Sequence, residues 1–153
     1  MGLTPYCGGP ISDFRLDCHL SIDGQGKCGF VFRLDEDSHD GYYLSLDLLK
    51  GLAQLRSWGT AHELQGEHMM SFKTLQAGNW VARGDCGEDF SLIVFGSYIE
   101  LSIGGHIVLS LADLNFHRGL LGIYADSCSL SLTDLSLHPM REPEQRDGQL
   151  VGN

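Results

Sequence analysis

Apolar and polar residues alternate along several segments of the chain, which is the pattern of strands with one buried face. In the segment Asp13–Asp23 the even-numbered residues are apolar and the odd-numbered residues are polar. A stretch with two glycines, Asp23–Gly26, follows, and the next apolar row is formed by Cys28, Phe30, Phe32 and Leu34. Because glycine adopts the backbone angles that tight turns require, the pattern predicts a hairpin of two strands.

Three further strands are predicted in the next part of the chain. Tyr42–Leu48 and Leu52–Trp58 are separated by a tight turn at Leu49–Gly51, although the spacing of the leucines around that turn would also suit a short helix. Phe90–Phe95 is a continuous apolar run of the length of a buried strand. The stretch 59–78 follows neither period, and it predicts a loop with one short strand.

The clearest sign of a β fold lies at Tyr98–Ser110, where two segments of alternating apolar and polar residues flank a Gly-Gly pair. Adjacent glycines permit the primed turn that joins neighbouring antiparallel strands, so this segment predicts a second hairpin. Two more strands are predicted at Leu120–Ala125 and Ser129–Leu137. The alternation of the last one shifts at Asp134, which predicts a β-bulge.

Many short strands separated by glycine turns, with no convincing helix, predict an all-β fold of two packed antiparallel sheets. A length of 153 residues suits one domain. We assign residues 1–140 to a single β-sandwich domain. The residues after Pro139 are rich in charge, and we therefore predict a charged C-terminal tail over 141–153.

The charge of the chain narrows the classes of partner. A formal net charge of −10, from 20 acidic and 10 basic residues, would repel a phosphate backbone, so nucleic acid is excluded as a partner. No apolar run approaches the length of a membrane span, and Met1 is followed by Gly-Leu-Thr-Pro and not by a signal segment. We expect a cytoplasmic protein as given, or an extracellular one if it is cut from a longer secreted enzyme.

The five cysteines form no CxxC pair and cannot all be paired within one chain. None has a neighbour at the spacing of zinc ligands. We therefore expect reduced thiols that act as small apolar residues. The positions concerned are Cys7, Cys18, Cys28, Cys86 and Cys128.

Several strings together resemble a known group of sandwiches. They are Asp13–Leu20, Gly29–Arg33, Gly41–Asp47, Tyr98–Gly105 and Gly119–Tyr124. They resemble the concanavalin A-like (laminin G-like) sandwiches attached to glycoside hydrolase family 32 enzymes, including the family 66 carbohydrate-binding modules that recognise fructans. The resemblance implies a two-sheet antiparallel jelly roll of the concanavalin A-like lectin/glucanase type, with a concave polar surface for a sugar. It also implies an accessory role beside a glycoside hydrolase catalytic domain.

The motifs of catalysis in that group are missing from the chain. Its hydrolases carry Asn-Asp-Pro, Arg-Asp-Pro and Glu-Cys motifs in a separate propeller domain, and only Arg141–Pro143 approaches one of them. The sequence also lacks a GxSxG elbow, an HExxH helix and a phosphate-binding glycine loop. We therefore predict a non-enzymatic module.

The acidic loop Asp35–Gly41 is the one candidate for a metal. Calcium binds several oxygen ligands, and such a loop could supply them. A solvated turn is the more common role of such a segment, so we expect no cofactor, with calcium at this loop as the alternative.

Sugar binding needs planar hydrogen-bonding groups and an aromatic surface for the ring. Strand parity places three candidates, Arg33, Tyr43 and Asp47, on an outward face. Arg33 is the best single candidate for a sugar contact. Glu100 and Asp113 could accept sugar hydroxyls or pair within the sheet, and Trp58 or Trp80 could stack or be buried. The predicted ligand-binding set is Arg33, Tyr43, Asp47, Glu100, Asp113 and Tyr124.

The leading hypothesis is a carbohydrate-binding or accessory module whose partners are a fructan-type oligosaccharide or polysaccharide and a glycoside hydrolase catalytic domain. One alternative is a structural sandwich that packs on a catalytic domain or self-associates. Another is an enzyme like the 3-keto-glycoside hydrolases. The last one requires Asp17, Asp47 and Glu100 to converge on one face.

Overall fold

The computed structural model describes residues 2–6, 8–59, 72–80 and 87–140. Within these ranges the backbone forms strands joined by turns and bends, and no helix there is long and apolar enough to cross a membrane. In chain order the strands are β1 (Gly2–Pro5), β2 (Asp13–Leu34), β3 (Gly41–Asp47), β4 (Leu52–Trp58), β5 (Phe72–Asn79), β6 (Glu88–Phe95), β7 (Tyr98–Ile103), β8 (His106–Ala112) and β9 (Leu120–Met140).

Two long strands run through the whole fold. β2 and β9 pair antiparallel from Asp13 opposite Met140 to Leu34 opposite Leu120. The predicted hairpin at Asp23–Gly26 is therefore wrong, because the chain continues there as one strand. The two strands predicted at 120–125 and 129–137 are likewise the two halves of β9.

The two glycines that predict a turn have another role. A Cβ on Gly26 would lie 1.8 Å from the Asp126 carbonyl oxygen, and Gly24 has a φ of 115° close to Cys128. The pairing of β2 with β9 shifts register between Gly24 and Lys27. Glycine is thus required by the close approach of β9 at an irregular point of the ribbon, and not by a chain reversal.

The ribbon of β2 and β9 contributes to two layers. The first half of β2 pairs with β6, and its second half pairs with β3. The β6 layer therefore has the order β8-β7-β6-β2-β9, and the β3 layer has the order β5-β4-β3-β2-β9-β1. The predicted all-β sandwich is confirmed, and its two antiparallel layers are parts of one nine-stranded sheet.

The apolar rows of the two layers meet in one core. Phe30 of the β3 layer stacks on Phe90 of the β6 layer with ring centroids 4.8 Å apart, and Phe14 meets Phe32 edge-on at 5.9 Å. Burial of this surface from water is the main driving force for folding. The largest fully buried side chains also include Tyr42, Leu44, Leu46, Leu55, Leu92, Ile99, Leu101 and Leu109.

Most short-range predictions are confirmed. Gly104 and Gly105 have φ values of 62° and 82°, as a type I′ turn between β7 and β8 requires. Leu52–Trp58 forms a strand and not a helix. The register between β2 and β9 shifts opposite Asp134, which has a φ of 53°, so the predicted bulge is present.

The two open ends of the layers differ. On β5, the Gln76 amide exchanges two hydrogen bonds with the Ser110 backbone on β8, at 3.1 and 2.7 Å, and thereby links the two layers. At the opposite end β1 and β9 leave an apolar cleft of about 330 Å³. Its lining includes Leu135, whose side chain is 58% exposed.

The cysteines of the described ranges, Cys18, Cys28 and Cys128, are free thiols. Burial raises the pKa of Cys18 to about 11. Burial and the neighbouring Cys128 thiol raise the pKa of Cys28 to about 12. Cys7, Cys86 and the predicted tail at 141–153 lie outside the described residues.

Candidate functional site

Arg33 does not face solvent, so its predicted outward orientation is wrong. Its φ of 50° breaks the alternation of β2 and turns the guanidinium inward, where its side chain is 1% exposed. Arg33 Nη2 pairs with Asp13 Oδ1 at 3.1 Å. Arg33 also donates hydrogen bonds to the carbonyl oxygens of Ser12, Gly96 and Phe116 at 2.9–3.0 Å. Arg33 is therefore a structural residue that ties loops to the end of β2.

The carboxylates of two further candidates, Asp47 and Asp113, already accept hydrogen bonds within the protein. Asp47 is 4% exposed and accepts hydrogen bonds from the backbone N–H groups of Leu49 and Lys50 at 3.1 and 3.0 Å. Asp113 accepts the Tyr42 hydroxyl and the Asn115 backbone N–H. Burial, followed by the bond to Asp113, raises the pKa of Tyr42. Asp47 keeps the outward parity predicted for it, but its carboxylate is buried and holds the turn between β3 and β4.

Glu100 lies on the outer face of the β6 layer, where it accepts the Tyr98 hydroxyl at 2.5 Å. It does not face Arg33, which pairs with Asp13. Asp17 also belongs to the β6 layer, whereas Asp47 lies at the end of β3. The convergence that a 3-keto-glycoside hydrolase site would need from these carboxylates is therefore not present.

The acidic loop before β3 is held by its own contacts. Asp35 accepts the backbone N–H groups of Asp37 and Ser38 at 2.9 Å each, and these bonds lower its pKa. Over residues 2–6, 8–59, 72–80 and 87–140, no three His, Cys, Asp or Glu side chains are grouped as ligands for a metal ion. The loop is accounted for as a hydrogen-bonded turn.

Tyr43 leads to a different set of residues on the outer face of the β3 layer. Tyr43 lies opposite Arg56 of β4, and Trp58 lies opposite Phe72 of β5. The Phe72 ring leans over β4, so that Arg56 Cζ is 4.3 Å from its centroid. The Tyr43 and Trp58 rings lie 5.0 and 4.9 Å from the same ring. The Arg56 guanidinium thus stacks on Phe72, and the Phe72 ring also contacts Tyr43 and Trp58.

Buried polar side chains lie next to these aromatic rings on the same face. Ser45, the next outward residue of β3, is 1% exposed, and Gly29 of β2 lies opposite both Ser45 and Tyr124 of β9. The Tyr124 hydroxyl donates to the Leu44 carbonyl oxygen at 3.3 Å. Burial raises the pKa of Tyr124, while the closeness of Ser45 and Arg56 opposes the rise. We call Tyr43, Ser45, Arg56, Trp58, Phe72 and Tyr124 the Arg56 face.

Two buried polar atoms of the Arg56 face are unsatisfied. Ser45 Oγ and Arg56 Nε have no partner in hydrogen-bonding geometry, although both residues lie close enough to Tyr124 to influence its pKa. An unsatisfied buried polar atom costs about 1–3 kcal/mol, and such atoms are uncommon in folded proteins. Their presence beside exposed aromatic rings marks this face as a candidate binding surface.

Only some of the residues predicted to bind a ligand therefore lie together in the structure. Tyr43 and Tyr124 lie on the Arg56 face, Trp58 is there as one of the two stacking candidates, and Trp80 is buried with its indole N–H donating to Glu88 at 3.0 Å. The sequence reasoning missed Arg56, Ser45 and Phe72. Parity within Leu52–Trp58 could have revealed Arg56, because Ala53 and Leu55 face the core. Phe72 lies in the stretch without a readable period.

Solved structures share this architecture. The carbohydrate binding module CBM66 from Bacillus subtilis has a TM-score of 0.70 at 15% identity, over 86% of this chain and 78% of its own. A β-fructofuranosidase of Aspergillus kawachii has a TM-score of 0.68 at 17% identity, over 90% of this chain. Sheep galectin-11 has a TM-score of 0.61 at 12% identity, over 88% of this chain and 97% of its own.

At these low identities, the TM-scores show that the chain shares a jelly-roll fold with these proteins. This chain covers 25% of the β-fructofuranosidase, so it spans about a quarter of that enzyme's length. No protein-family model matches the chain, and no curated protein matches its sequence.

Proposed function

We propose that this chain is a non-catalytic carbohydrate-binding or accessory module that binds sugar on the Arg56 face. The supporting observation is the aromatic cluster of Tyr43, Trp58 and Phe72, with Arg56 stacked on Phe72, beside the unsatisfied Ser45 hydroxyl. Aromatic faces pack against the C–H surface of a sugar, and planar or hydroxyl groups bond to its oxygens. Both elements are in contact on this face.

The ligand proposed first is a fructan-type oligosaccharide or polysaccharide. The likeness in fold to CBM66 and to a β-fructofuranosidase supports this choice. The sandwich would then act beside a glycoside hydrolase catalytic domain and hold that domain near its polymer.

Isothermal titration with levan, inulin and fructose tests the proposal. The test variants are Phe72→Ala and Arg56→Ala, and their matched controls are Phe95→Ala and Arg15→Ala. Phe95 is 44% exposed, close to the 41% of Phe72, and Arg15 is exposed on the same outer face of the β6 layer. We expect the test variants to abolish binding and the controls to retain it. Absence of binding to levan, inulin and fructose, at concentrations that detect millimolar affinity, would reject the fructan-type ligand.

The apolar cleft between β1 and β9 supports a second candidate, a sandwich that packs on a catalytic domain or on a second copy. Exposed apolar surface beside an edge strand is a common site of protein association. Light scattering after size exclusion would show a dimer that Leu135→Asp dissociates. A monomer at all concentrations would reject self-association and leave the domain contact to be tested with the catalytic chain.

A further inference from the structure

The charges of the Arg56 face are one-sided. Its members include one cation, Arg56, and no carboxylate. The ion pairs of the described residues engage Arg15, His19, Lys27 and Arg33, so none of them neutralises Arg56. A guanidinium that stacks on an aromatic ring and has no carboxylate partner among the residues that the structure describes is the chemistry that proteins use to bind an anionic group.

Two carboxylates lie near this face, and neither forms an ion pair with Arg56 among the described residues. Asp47 holds the turn after β3 and lies 3.9 Å from Lys27 Nζ. Asp40 acts on Tyr43, whose pKa is raised by burial and then by that carboxylate. A neutral sugar offers many O–H donors, and none of the six residues of the Arg56 face is a charged acceptor. The remaining acceptors are the hydroxyl oxygens of Tyr43, Ser45 and Tyr124.

The unsatisfied atom on Arg56 is the one that a carboxylate would use. Nε and a terminal nitrogen of arginine form a planar fork that matches the two oxygens of a carboxylate. Arg56 Nε is buried, and Phe72 stacks on the same guanidinium from the edge strand β5. Phe72 is 41% exposed, so the ring that covers the guanidinium lies at the protein surface, where a ligand can approach it.

We infer that the Arg56 face selects a sugar that carries an anionic group, a uronate or a sulfated sugar, whose charge pairs with Arg56 while its ring packs on Trp58 or Phe72. This inference rests on the proposed function, since it names the ligand class of the same face. It differs from the fructan assignment, because a fructan is neutral.

The test uses the full chain and pairs of probes in which one member carries an anionic group at C6 and the other carries a neutral hydroxymethyl group there. Methyl galacturonide is compared with methyl galactoside, methyl glucuronide with methyl glucoside, and galactose 6-sulfate with galactose, by titration calorimetry at low and high salt. We expect at least one charged probe to bind about tenfold more tightly than its neutral partner, as one charge-assisted hydrogen bond provides. High salt should reduce the preference.

Variants separate a specific site from general attraction. Arg56→Gln, which keeps a hydrogen-bond donor without the charge, should remove the preference, and Arg15→Gln should leave it unchanged. Acetate and inorganic sulfate should bind more weakly than the charged sugars. Equal binding by these free anions, or a preference that survives Arg56→Gln, would overturn the inference.

The two proposals fail in different ways. If neutral sugars or levan bind and Arg56→Gln weakens them and the charged probes equally, the anionic selectivity is wrong and the sugar-binding function stands. If no sugar binds, charged or neutral, while circular dichroism shows a folded chain, both proposals are wrong.

Discussion

Arg33 Nη2 lies 3.1 Å from Asp13 Oδ1 inside the sandwich, where the two side chains are 1% and 3% exposed. The same Asp13 oxygen accepts the Gly96 backbone N–H at 2.9 Å. This pair joins the two ends of β2 to the turn between β6 and β7. It therefore stabilises the layer contacts and makes no part of a ligand surface.

The first prediction concerns this ion pair. Arg33→Ala leaves Asp13 as a buried charge without its partner, so we expect the free energy of unfolding to fall by about 3–5 kcal/mol. Urea denaturation followed by tryptophan fluorescence measures the change. The double variant Arg33→Met with Asp13→Leu should lose less than Arg33→Ala alone, and an equal or larger loss would contradict the explanation by an unpaired charge.

The second prediction separates ligand binding from stability with two matched serines. Ser45 Oγ and Ser57 Oγ are both buried and unsatisfied, but Ser45 lies on the Arg56 face and Ser57 lies opposite Tyr42 on the inner face. We expect both Ser→Ala changes to raise the free energy of unfolding by about 1 kcal/mol, since each removes an unpaired hydroxyl. Only Ser45→Ala should weaken sugar binding in calorimetry. Equal binding by the two variants would argue against Ser45 as a ligand contact.

The third prediction concerns the close approach of β2 and β9. Gly26→Ala places a Cβ against the Asp126 carbonyl, and we expect a loss of about 3 kcal/mol from the forced separation of the strands. Gly96→Ala is the control, because its Cβ would meet no atom within 4 Å and its φ of 59° adds only left-handed strain. Thermal melting by circular dichroism compares them. A Gly96→Ala loss as large as that of Gly26→Ala would contradict the clash.

The fourth prediction concerns alkaline pH. Burial and Cys128 raise the pKa of Cys28 from 9.0 to about 12, so the folded chain keeps a proton that the unfolded chain releases. The stability from this group is present below pH 9 and is lost as pH rises towards 12, at up to about 1.4 kcal/mol per pH unit. Urea denaturation from pH 7 upwards should give a shallower decline for Cys28→Ala than for the parent chain. Parallel declines would show that Cys28 does not titrate differently in the two states.

Local structure followed from local chemistry. The alternation of Tyr98–Ser110 and the Gly-Gly pair determined the β7–β8 hairpin, because side-chain period and turn angles depend on neighbouring residues alone. The same reasoning identified the bulge at Asp134 and the strand at Leu52–Trp58. It also indicated the all-β class.

The tertiary structure decided the rest. Gly24 and Gly26 satisfy a turn and a close strand approach equally well, and only the pairing of β2 with β9 selects the second. Strand parity predicts an outward side chain for Arg33. Its positive φ instead turns the side chain inward towards Asp13, a residue at the far end of the same strand. The Arg56 face consists of side chains from β3, β4, β5 and β9. The alternation along one strand does not show which side chains of the other three strands will lie next to it. The alternating sequence thus determined which residues could face outward, and strand order determined which of them lie together.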